Sequence, residues 1–279
     1  MTTTLALLTS DPNLLRCQVE QIKACLKPPT RPPRAVGLGY FEADEILLRK
    51  KPGDVGSVDL GELARDVQSE VLFFRAGELA GGGAYVDDED VMPLRARRWM
   101  FMHHGQLASP AATRAALARA MPASVLRLAR GSTASELCLL TFLDLLRDGS
   151  SIDELELSPK VVGARLGEAA RRVEAAERES GKVGSLGFFV TNGRVMAATR
   201  LGTAPLHYAL LEGISRCPVC GLTDSTPDSE PLVRAHRRLR GVALACEVVG
   251  PDGFLEVAPA SVVTVGHDLE VQVTPLGKA

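Results

Sequence analysis

The dipeptide Asn192-Gly193 stands between two apolar runs, residues 184–191 and 195–200, and it constrains the fold more than any other short feature. Both residues tolerate positive φ, so this arrangement predicts a tight β-hairpin. Similar short runs predict further strands at residues 4–8, 35–41, 45–49, 71–75, 98–103, 125–130, 207–211, 242–248, 261–265 and 269–274. Because hairpins join antiparallel neighbours, the chain is expected to form antiparallel sheets.

Helical patterns are fewer and longer than the strand patterns, and they are grouped between the sets of strands. Apolar periodicity near 3.6 residues and amphipathic composition predict helices over 13–27, 110–121, 134–148 and 161–179. Asp11-Pro12 suits the start of the first helix, with Asp as its cap and Pro at its first position. The sequence therefore predicts an α+β protein in which helices cover antiparallel sheets.

Length and composition favour a single domain over residues 1–279. Hydrophobic residues make up 46% of the 279 residues, which is enough for a full core. The most irregular segments are 27–34, with four prolines, 80–94, with a glycine triplet and an acidic run, and 221–232. None of them separates two self-sufficient cores.

Charge and hydropathy argue against nucleic-acid and membrane partners. The net charge is −2 and the sequence pI is about 6.2, so no global field attracts polyanions. Two short basic runs are either solvated, salt-bridged faces or contacts for an anionic partner: Arg95, Arg97, Arg98 and Arg234, Arg237, Arg238, Arg240. The start of the chain lacks the features of a signal peptide, and no run approaches the ~20 apolar residues of a membrane span. We therefore predict a cytoplasmic protein with six reduced cysteines.

A series of short motifs, in fixed order along nearly the whole chain, carries a resemblance to a known family. In chain order they are Leu5-Ala6-Leu7-Leu8, Val36-Gly37-Leu38-Gly39-Tyr40, Val71-Leu72-Phe73-Phe74-Arg75-Ala76, Arg98-Trp99-Met100-Phe101-Met102-His103-His104-Gly105, Ser132-Thr133-Ala134-Ser135-Glu136, Phe189-Val190-Thr191-Asn192-Gly193 and Ala245-Cys246-Glu247. Together they resemble the class II glutamine amidotransferases. The resemblance extends to a branch of small stand-alone proteins that includes γ-glutamyl hydrolases of thiol biosynthesis.

The resemblance implies a fold and a set of active-site roles. The fold is a four-layer αββα sandwich of the N-terminal-nucleophile (Ntn) hydrolase type. The nucleophile is the second residue, exposed by removal of Met1, and its own amine acts as the base. Donors at positions 104 and 105 hold the oxyanion. Arg75 and the residue at position 134 bind the α-carboxylate and α-amino group of glutamine.

Three of these positions depart from the family. Thr2 replaces the nucleophilic cysteine, and threonine with its own amine is a weaker but known nucleophile. His104 replaces an asparagine in the oxyanion hole, while Gly105 is retained. Ala134 replaces the aspartate that anchors the substrate ammonium, and a methyl group cannot form that ion pair.

The departures leave two main functional hypotheses. The first is a protein without glutaminase activity that serves as a binding or regulatory module. Its partner is a small amide or carboxylate ligand, or another protein. The second is an active amidohydrolase that uses Thr2 on an amide other than glutamine. Arg75 either meets a ligand carboxylate or holds a structural ion pair, and His103 and His104 either serve the site or simply end a strand, one buried and one exposed. A homo-oligomer is left open.

Cys217-Pro218-Val219-Cys220-Gly221 forms half of a zinc site, because a Cys-x-x-Cys turn directs two thiolates at one ion. The remaining ligands would come from residues such as His236, His207 or Cys246, or from a second subunit. A third functional hypothesis is therefore an assembly component in which Cys217 and Cys220 bind zinc at an interface. A redox pair and two plain thiols are the alternatives. No other cofactor is predicted. Cys17 and Cys25 are expected to face the core from one helix.

Overall fold

The computed structural model describes residues 2–53, 55–77, 87–147, 152–179, 181–250 and 253–277. The strands are β1 (Thr3–Thr9), β2 (Ala35–Glu42), β3 (Glu45–Pro52), β4 (Val71–Gly77), β5 (Leu94–Ala96), β6 (Trp99–His104), β7 (Gly187–Thr191), β8 (Met196–Arg200), β9 (His207–Leu211), β10 (Gly241–Ala245), β11 (Leu255–Glu256), β12 (Ser261–Val265) and β13 (Val271–Pro275). The helices are α1 (Leu15–Ile22), α2 (Leu60–Leu63), α3 (Pro110–Ala120), α4 (Ala123–Leu126), α5 (Ala134–Arg147), α6 (Pro159–Glu179) and α7 (Pro231–Arg238).

The strands form two antiparallel sheets. The first sheet has the order β11-β9-β10-β1-β4-β2-β3, and the second has the order β13-β12-β8-β7-β6-β5. In the first sheet β1 lies between β10 and β4, with Leu5 opposite Ala245 on one side and Phe74 on the other. The predicted α+β class with antiparallel sheets is confirmed.

Alternation along β1 determines how the layers stack. Leu5 and Leu7 belong to the hydrophobic cluster beneath α1, whereas Ala6 and Leu8 belong to the cluster between the two sheets. All four are at most 1% exposed, so both faces of this strand are buried. Such a strand has a strongly specified register, because a shift of one residue would exchange its two faces.

Helices cover the outer face of each sheet. Residues of α1 and α2 pack on the outer face of the first sheet. On the other side, α6 contacts β12, β8 and β7, and α5 packs beside it. The layers therefore run helix, sheet, sheet, helix, which confirms the four-layer αββα sandwich. Among the described residues, no helix is both long and apolar enough to cross a membrane.

The hairpin between β7 and β8 forms where the Asn-Gly pair predicts it, with residues 192–195 as its four-residue connection. Gly193 has φ of +92°. The Asn192 side-chain oxygen accepts hydrogen bonds from Arg194 N and Val195 N, each at 3.0 Å, and its amide donates to Leu155 O at 3.1 Å. Asn192 is only 2% exposed, so its side chain satisfies the backbone of the turn and also ties it to a neighbouring segment.

The secondary structure departs from expectation in a few segments. The strand predicted at 125–130 is wrong: Pro122 precedes the short helix α4, and the chain then turns toward α5. The short elements β5, β11 and α2 were not predicted. Neither was α7, which begins at the end of the segment 221–232 that was expected to be irregular. Part of the predicted loop 80–94 and the predicted end of α5 at 148–149 lie outside the described residues.

We expect Asn192→Ala to lower the free energy of unfolding by about 2 kcal/mol, because it leaves buried backbone groups without their hydrogen-bond partner. Urea unfolding at neutral pH measures the change. Asn13→Ala is the matched control, because Asn13 is exposed and its effect should stay within about 0.5 kcal/mol. Equal stability of the two variants would contradict the structural role of Asn192.

Candidate functional site

The even-numbered residues at the start of β1 face the second sheet. The Thr4 hydroxyl lies 3.1 Å from Nδ1 of His104, which stands at the end of β6 in that sheet. Arg75 of β4 pairs with Thr4 in the strand register and lies on the same, inward side as Phe73. Cys246 N donates to Thr4 O at 3.4 Å. The strand pairing thus gathers Thr4, Arg75, His104 and Cys246 at one end of the space between the sheets.

Thr2 lies at this same end, just before β1. A Cβ atom placed on Gly77, at the end of β4, would lie 2.7 Å from Cβ of Thr2. Only glycine therefore leaves room for the Thr2 side chain in this position. Thr2 is partly exposed, unlike the fully buried strand that follows it.

The two histidines of β6 point to opposite sides of the second sheet. His104 turns toward Thr4 in the first sheet, whereas Nδ1 of His103 lies 3.0 Å from the Ser135 hydroxyl on α5. Both are buried, with 4% and 6% exposure. The alternative in which one of the two is exposed is therefore wrong.

Burial and the nearby positive charge of Arg75 keep both histidines neutral. Burial, followed by the nearby Arg75 guanidinium, lowers the pKa of His103 to about 3 and that of His104 to about 4. At neutral pH His104 is an uncharged imidazole that can donate one hydrogen bond. A histidine in this state can serve as a polar donor but not as a cation.

Arg75 supplies the positive charge of the site. Burial lowers the pKa of its guanidinium to about 10, so Arg75 is still protonated at neutral pH. Burial also raises the pKa of the Cys246 thiol well above its ordinary value, and the Glu247 carboxylate adds to that effect. Cys246 is therefore a neutral thiol and not an activated nucleophile. Glu247 pairs with Lys27, at 3.1 Å between Oε2 and Nζ.

Gly105 has a conformation that explains why glycine follows His104. Its φ is +100°, and a Cβ atom at this position would overlap the Ser185 carbonyl. The glycine lets β6 end in a sharp turn, which leaves the backbone beside His104 free of side-chain bulk.

Ala134 begins α5 in a tightly bonded turn. The Thr133 hydroxyl accepts a hydrogen bond from Glu136 N at 3.3 Å, and the Glu136 carboxylate accepts from Arg130 N and Gly131 N at 2.6 and 3.0 Å. Ala134 is 5% exposed, and the next residue, Ser135, contacts His103. The turn thus sets a methyl group at the position that the resemblance assigns to an anchoring carboxylate.

Sequence reasoning did not single out Thr4, Gly77 or Ser135. Thr4 could have been identified from the two-residue period of β1, because that period places Thr4 on the same face of the strand as Thr2. Gly77 and Ser135 gave no local signal, since their contacts join residues that are distant along the chain.

The predicted metal ligands lie apart from these residues. Cys217 and Cys220 are grouped with Cys17 of α1 and His236 of α7, and the four ligand atoms lie within 4.8 Å of one another. His236 was among the candidates named from the sequence. His207 lies in β9 and Cys246 beside Thr4, and neither belongs to the group. Cys17 is buried as expected, but its role in this group was missed.

A cavity of about 610 Å³ opens elsewhere on the surface. It is lined by Arg95, Arg97, Arg98, Arg127 and Arg130 together with Asp44, Glu45, Ile46, Ala96 and Leu128. Arg95 also donates to Ile46 O at 3.1 Å. The first basic run of the sequence therefore lines a cavity whose wall contains the carboxylates of Asp44 and Glu45 as well as guanidinium groups.

Comparison with known proteins identifies the fold. No protein-family model matches the chain, and neither does any curated protein. Among solved structures, a glutamine aminotransferase class-II domain protein from Silicibacter pomeroyi is 18% identical with a TM-score of 0.60, over 99% of this chain and 100% of that one. A predicted glutamine amidotransferase from Pseudomonas aeruginosa is 14% identical with a TM-score of 0.52, over 98% and 96%.

A larger enzyme shows the same likeness over part of its length. Glutamine phosphoribosylpyrophosphate amidotransferase from B. subtilis is 12% identical with a TM-score of 0.57, over 99% of this chain and 50% of that one. At such identities the likeness concerns the fold. The chain has the Ntn-hydrolase-like fold of class II glutamine amidotransferase domains.

The neutral histidines predict a pH dependence of stability. In the unfolded chain both titrate near their ordinary pKa of 6.5, so below that pH the unfolded state binds more protons than the folded one. The contribution of the two histidines to the free energy of unfolding should therefore be fully present above pH 6.5. It should decrease as the pH drops toward about 4 for His104 and about 3 for His103, by up to about 1.4 kcal/mol per pH unit for each histidine. His104→Asn should reduce this slope.

Urea unfolding across the acid range measures the slope for the wild type, His104→Asn, His103→Asn and the double variant. The double variant should have the shallowest slope. A slope in His104→Asn equal to that of the wild type would contradict the neutral state of His104.

Proposed function

We propose that this protein is a glutamine amidotransferase-like protein that has lost glutaminase activity and binds a small carboxylate ligand as a binding or regulatory module. The proposal combines the fold with the residues that occupy the family's catalytic and anchoring positions. It also takes up the resemblance to the small stand-alone branch that includes γ-glutamyl hydrolases.

The buried methyl group of Ala134 carries the proposal. In the family this position provides a carboxylate for the substrate ammonium, but Ala134 is 5% exposed and offers no polar atom in its side chain. A glutamine bound here would bury its ammonium without that partner, which is unfavourable by several kcal/mol where a buried pair is broken. The site is therefore better suited to a ligand without an α-amino group.

Arg75 supports the choice of a carboxylate. Its guanidinium is charged at neutral pH and faces the space between the sheets, where it lowers the pKa of both histidines. The same field that disfavours a proton on His103 and His104 favours an anion. Guanidinium–carboxylate pairs add bidentate geometry to this attraction.

Thr2 and His104 weaken the case for glutamine hydrolysis further. A threonine hydroxyl group is a poorer nucleophile than a cysteine thiol, because a few per cent of the thiol is already ionised to thiolate at neutral pH. Loss of a single oxyanion donor lowers the rate by about 10²–10³ where measured, so His104 must donate well for any turnover to persist.

A second candidate function is an amidohydrolase that uses Thr2 on an amide without an α-amino group. The position of Thr2 favours it: its side chain lies against Gly77 at the end of β4, on the same strand as Arg75. Removal of Met1, which lies outside the described residues, would expose the amine that serves as the base.

The preference between two ligands, one with and one without an α-amino group, tests the proposed role of residue 134. We expect the wild type to bind glutaramate, which is glutamine without its α-amino group, more tightly than glutamine. Ala134→Asp should move the preference toward glutamine by about tenfold or more, because about 1.4 kcal/mol of ion pairing corresponds to a factor of ten. Isothermal titration calorimetry with the two ligands measures both affinities.

Ala134→Asn is the matched control, since it has the size of aspartate without the charge and should not produce the same change. Arg75→Met should weaken both ligands alike. A wild type that already prefers glutamine, or an unchanged preference in Ala134→Asp, would contradict the proposed pocket.

Turnover distinguishes the two functions. We expect no release of ammonia or glutamate from glutamine, glutaramate or a panel of γ-glutamyl amides above the level of Thr2→Ala. Turnover that is lost in Thr2→Ala but retained in Thr2→Ser would establish the amidohydrolase instead. Thr3→Ala is the control, because the Thr3 hydroxyl bonds Lys27 O at 2.7 Å and takes no part in the site. Mass spectrometry of the intact protein verifies whether Met1 is removed.

A further inference from the structure

We infer that Cys17, Cys217, Cys220 and His236 form a closed structural zinc site that fastens the β9–β10 connection to helix α1. Three thiolates and one imidazole are a common ligand set for structural zinc. The site lies apart from Thr2 and Arg75, and it does not depend on the proposed function.

The spacing of the four ligand atoms suits one tetrahedral ion. All of them lie within 4.8 Å of one another, and the Sγ atoms of Cys17 and Cys220 are 3.5 Å apart. With zinc–sulfur distances of about 2.3 Å and zinc–nitrogen distances of about 2.0 Å, tetrahedral ligands stand about 3.5–3.8 Å from each other. Small side-chain adjustments would therefore complete the coordination.

His236 is oriented as a metal ligand. Its Nδ1 lies 2.8 Å from Leu232 O one helical turn earlier, so Nδ1 carries the proton and Nε2 has a free lone pair. His236 is 0% exposed, and within the described part of the chain its Nε2 has no hydrogen-bond partner. A buried imidazole nitrogen without a partner is unfavourable, and a bound cation removes that penalty. In zinc-bound histidines the other ring nitrogen usually donates a hydrogen bond to a backbone carbonyl or a carboxylate, as Nδ1 of His236 does here.

The Cys-x-x-Cys turn is already in the shape of a metal-binding knuckle. Cys217 and Leu222 exchange backbone hydrogen bonds, N to O at 3.0 Å and 2.9 Å, which closes the turn around Cys220. Gly221 has φ of +69°, a conformation that favours glycine. The loop is thus folded back so that both thiols face Cys17.

The connection between β9 and β10 is the segment that a metal ion bound to these four residues would stabilise. Residues 212–240 hold the knuckle and the short helix α7, and their apolar contacts form a small cluster that includes Leu14, Leu222, Val233 and Leu239. Ile214 N donates to His236 O at 3.1 Å, which ties the two ends of the connection together. With so few apolar side chains, a metal ion would contribute much of the stability of this cluster.

The donor set favours zinc over the hard cations magnesium and calcium. Thiolates disfavour magnesium and calcium, which bind oxygen ligands. Cys17, Cys217 and His236 are nearly inaccessible to solvent, with 3%, 1% and 0% exposure. Four protein ligands leave no open position for substrate or water, so the site is structural and not catalytic.

Metal content of the full-length protein, purified without a metal-affinity column, tests the site. We expect one zinc ion per chain by elemental analysis in the wild type and in Cys25→Ser, because Cys25 follows α1 and is not in the cluster. Cys17→Ser and His236→Gln should lose zinc, with affinity lowered by about tenfold or more. His207→Gln is the histidine control and should retain the ion.

Two further measurements on the wild type do not depend on whether the variants fold. Cobalt(II) added to metal-free protein should give the intense visible bands of a tetrahedral site together with thiolate-to-cobalt charge transfer. Removal of zinc with a chelator should speed proteolysis within 212–240 by about tenfold or more, while the sheets stay resistant.

The remaining outcomes would overturn the inference. Protein without metal that also gives no tetrahedral cobalt spectrum would exclude the site. A disulfide between Cys17 and Cys220, or between Cys217 and Cys220, in freshly purified protein would assign these thiols to redox chemistry instead. Iron with the visible absorption of an iron–sulfur cluster would assign them to a different cofactor.

Discussion

The burial of both faces of β1 is the constraint on which the rest of the structure depends. Leu5 and Leu7 are held beneath α1, and Ala6 and Leu8 are held against the second sheet. A slip of one residue would move leucines out of both clusters at once, so the register is strongly specified. The residues before this core follow the same alternation, and Thr4 is thereby directed to His104. The candidate site is a consequence of how the hydrophobic core is built.

Charge is the second organising feature of the site. The Arg75 guanidinium is buried beside two histidines, and all three pKa values are lowered as a result of burial. One positive charge is kept, and the neighbours that could have added more stay neutral. This distribution destabilises the folded state in acid, and it is the basis of our proposal that the site binds an anion. An environment that shifts several pKa values together is typical of binding and catalytic sites.

Local signals predicted most of the fold because they depend on neighbouring residues only. The tolerance of Asn192 and Gly193 for positive φ, together with the apolar runs on both sides, was sufficient to predict the hairpin. The strand predicted at 125–130 was wrong because a short run of apolar residues is compatible with a strand and with a helical turn alike. The helix α7 was missed because its eight residues carry a polar, arginine-rich face beside few apolar positions. The αββα layering itself came from the family resemblance, and the sheet order confirmed it.

The amino-acid sequence by itself determined which residue types stand at the positions that the resemblance assigns to the active site, namely Thr2, His104 and Ala134, and it supplied two thiols in a Cys-x-x-Cys turn. Only the tertiary structure decided which residues complete these sites. Thr4 and Ser135 reach the two histidines across a strand register and a helix start, and Cys17 meets Cys220 from a helix near the other end of the chain. Periodicity and spacing report on residues within a turn or a strand. Contacts between distant segments depend on the packing of whole layers, which no local pattern encodes.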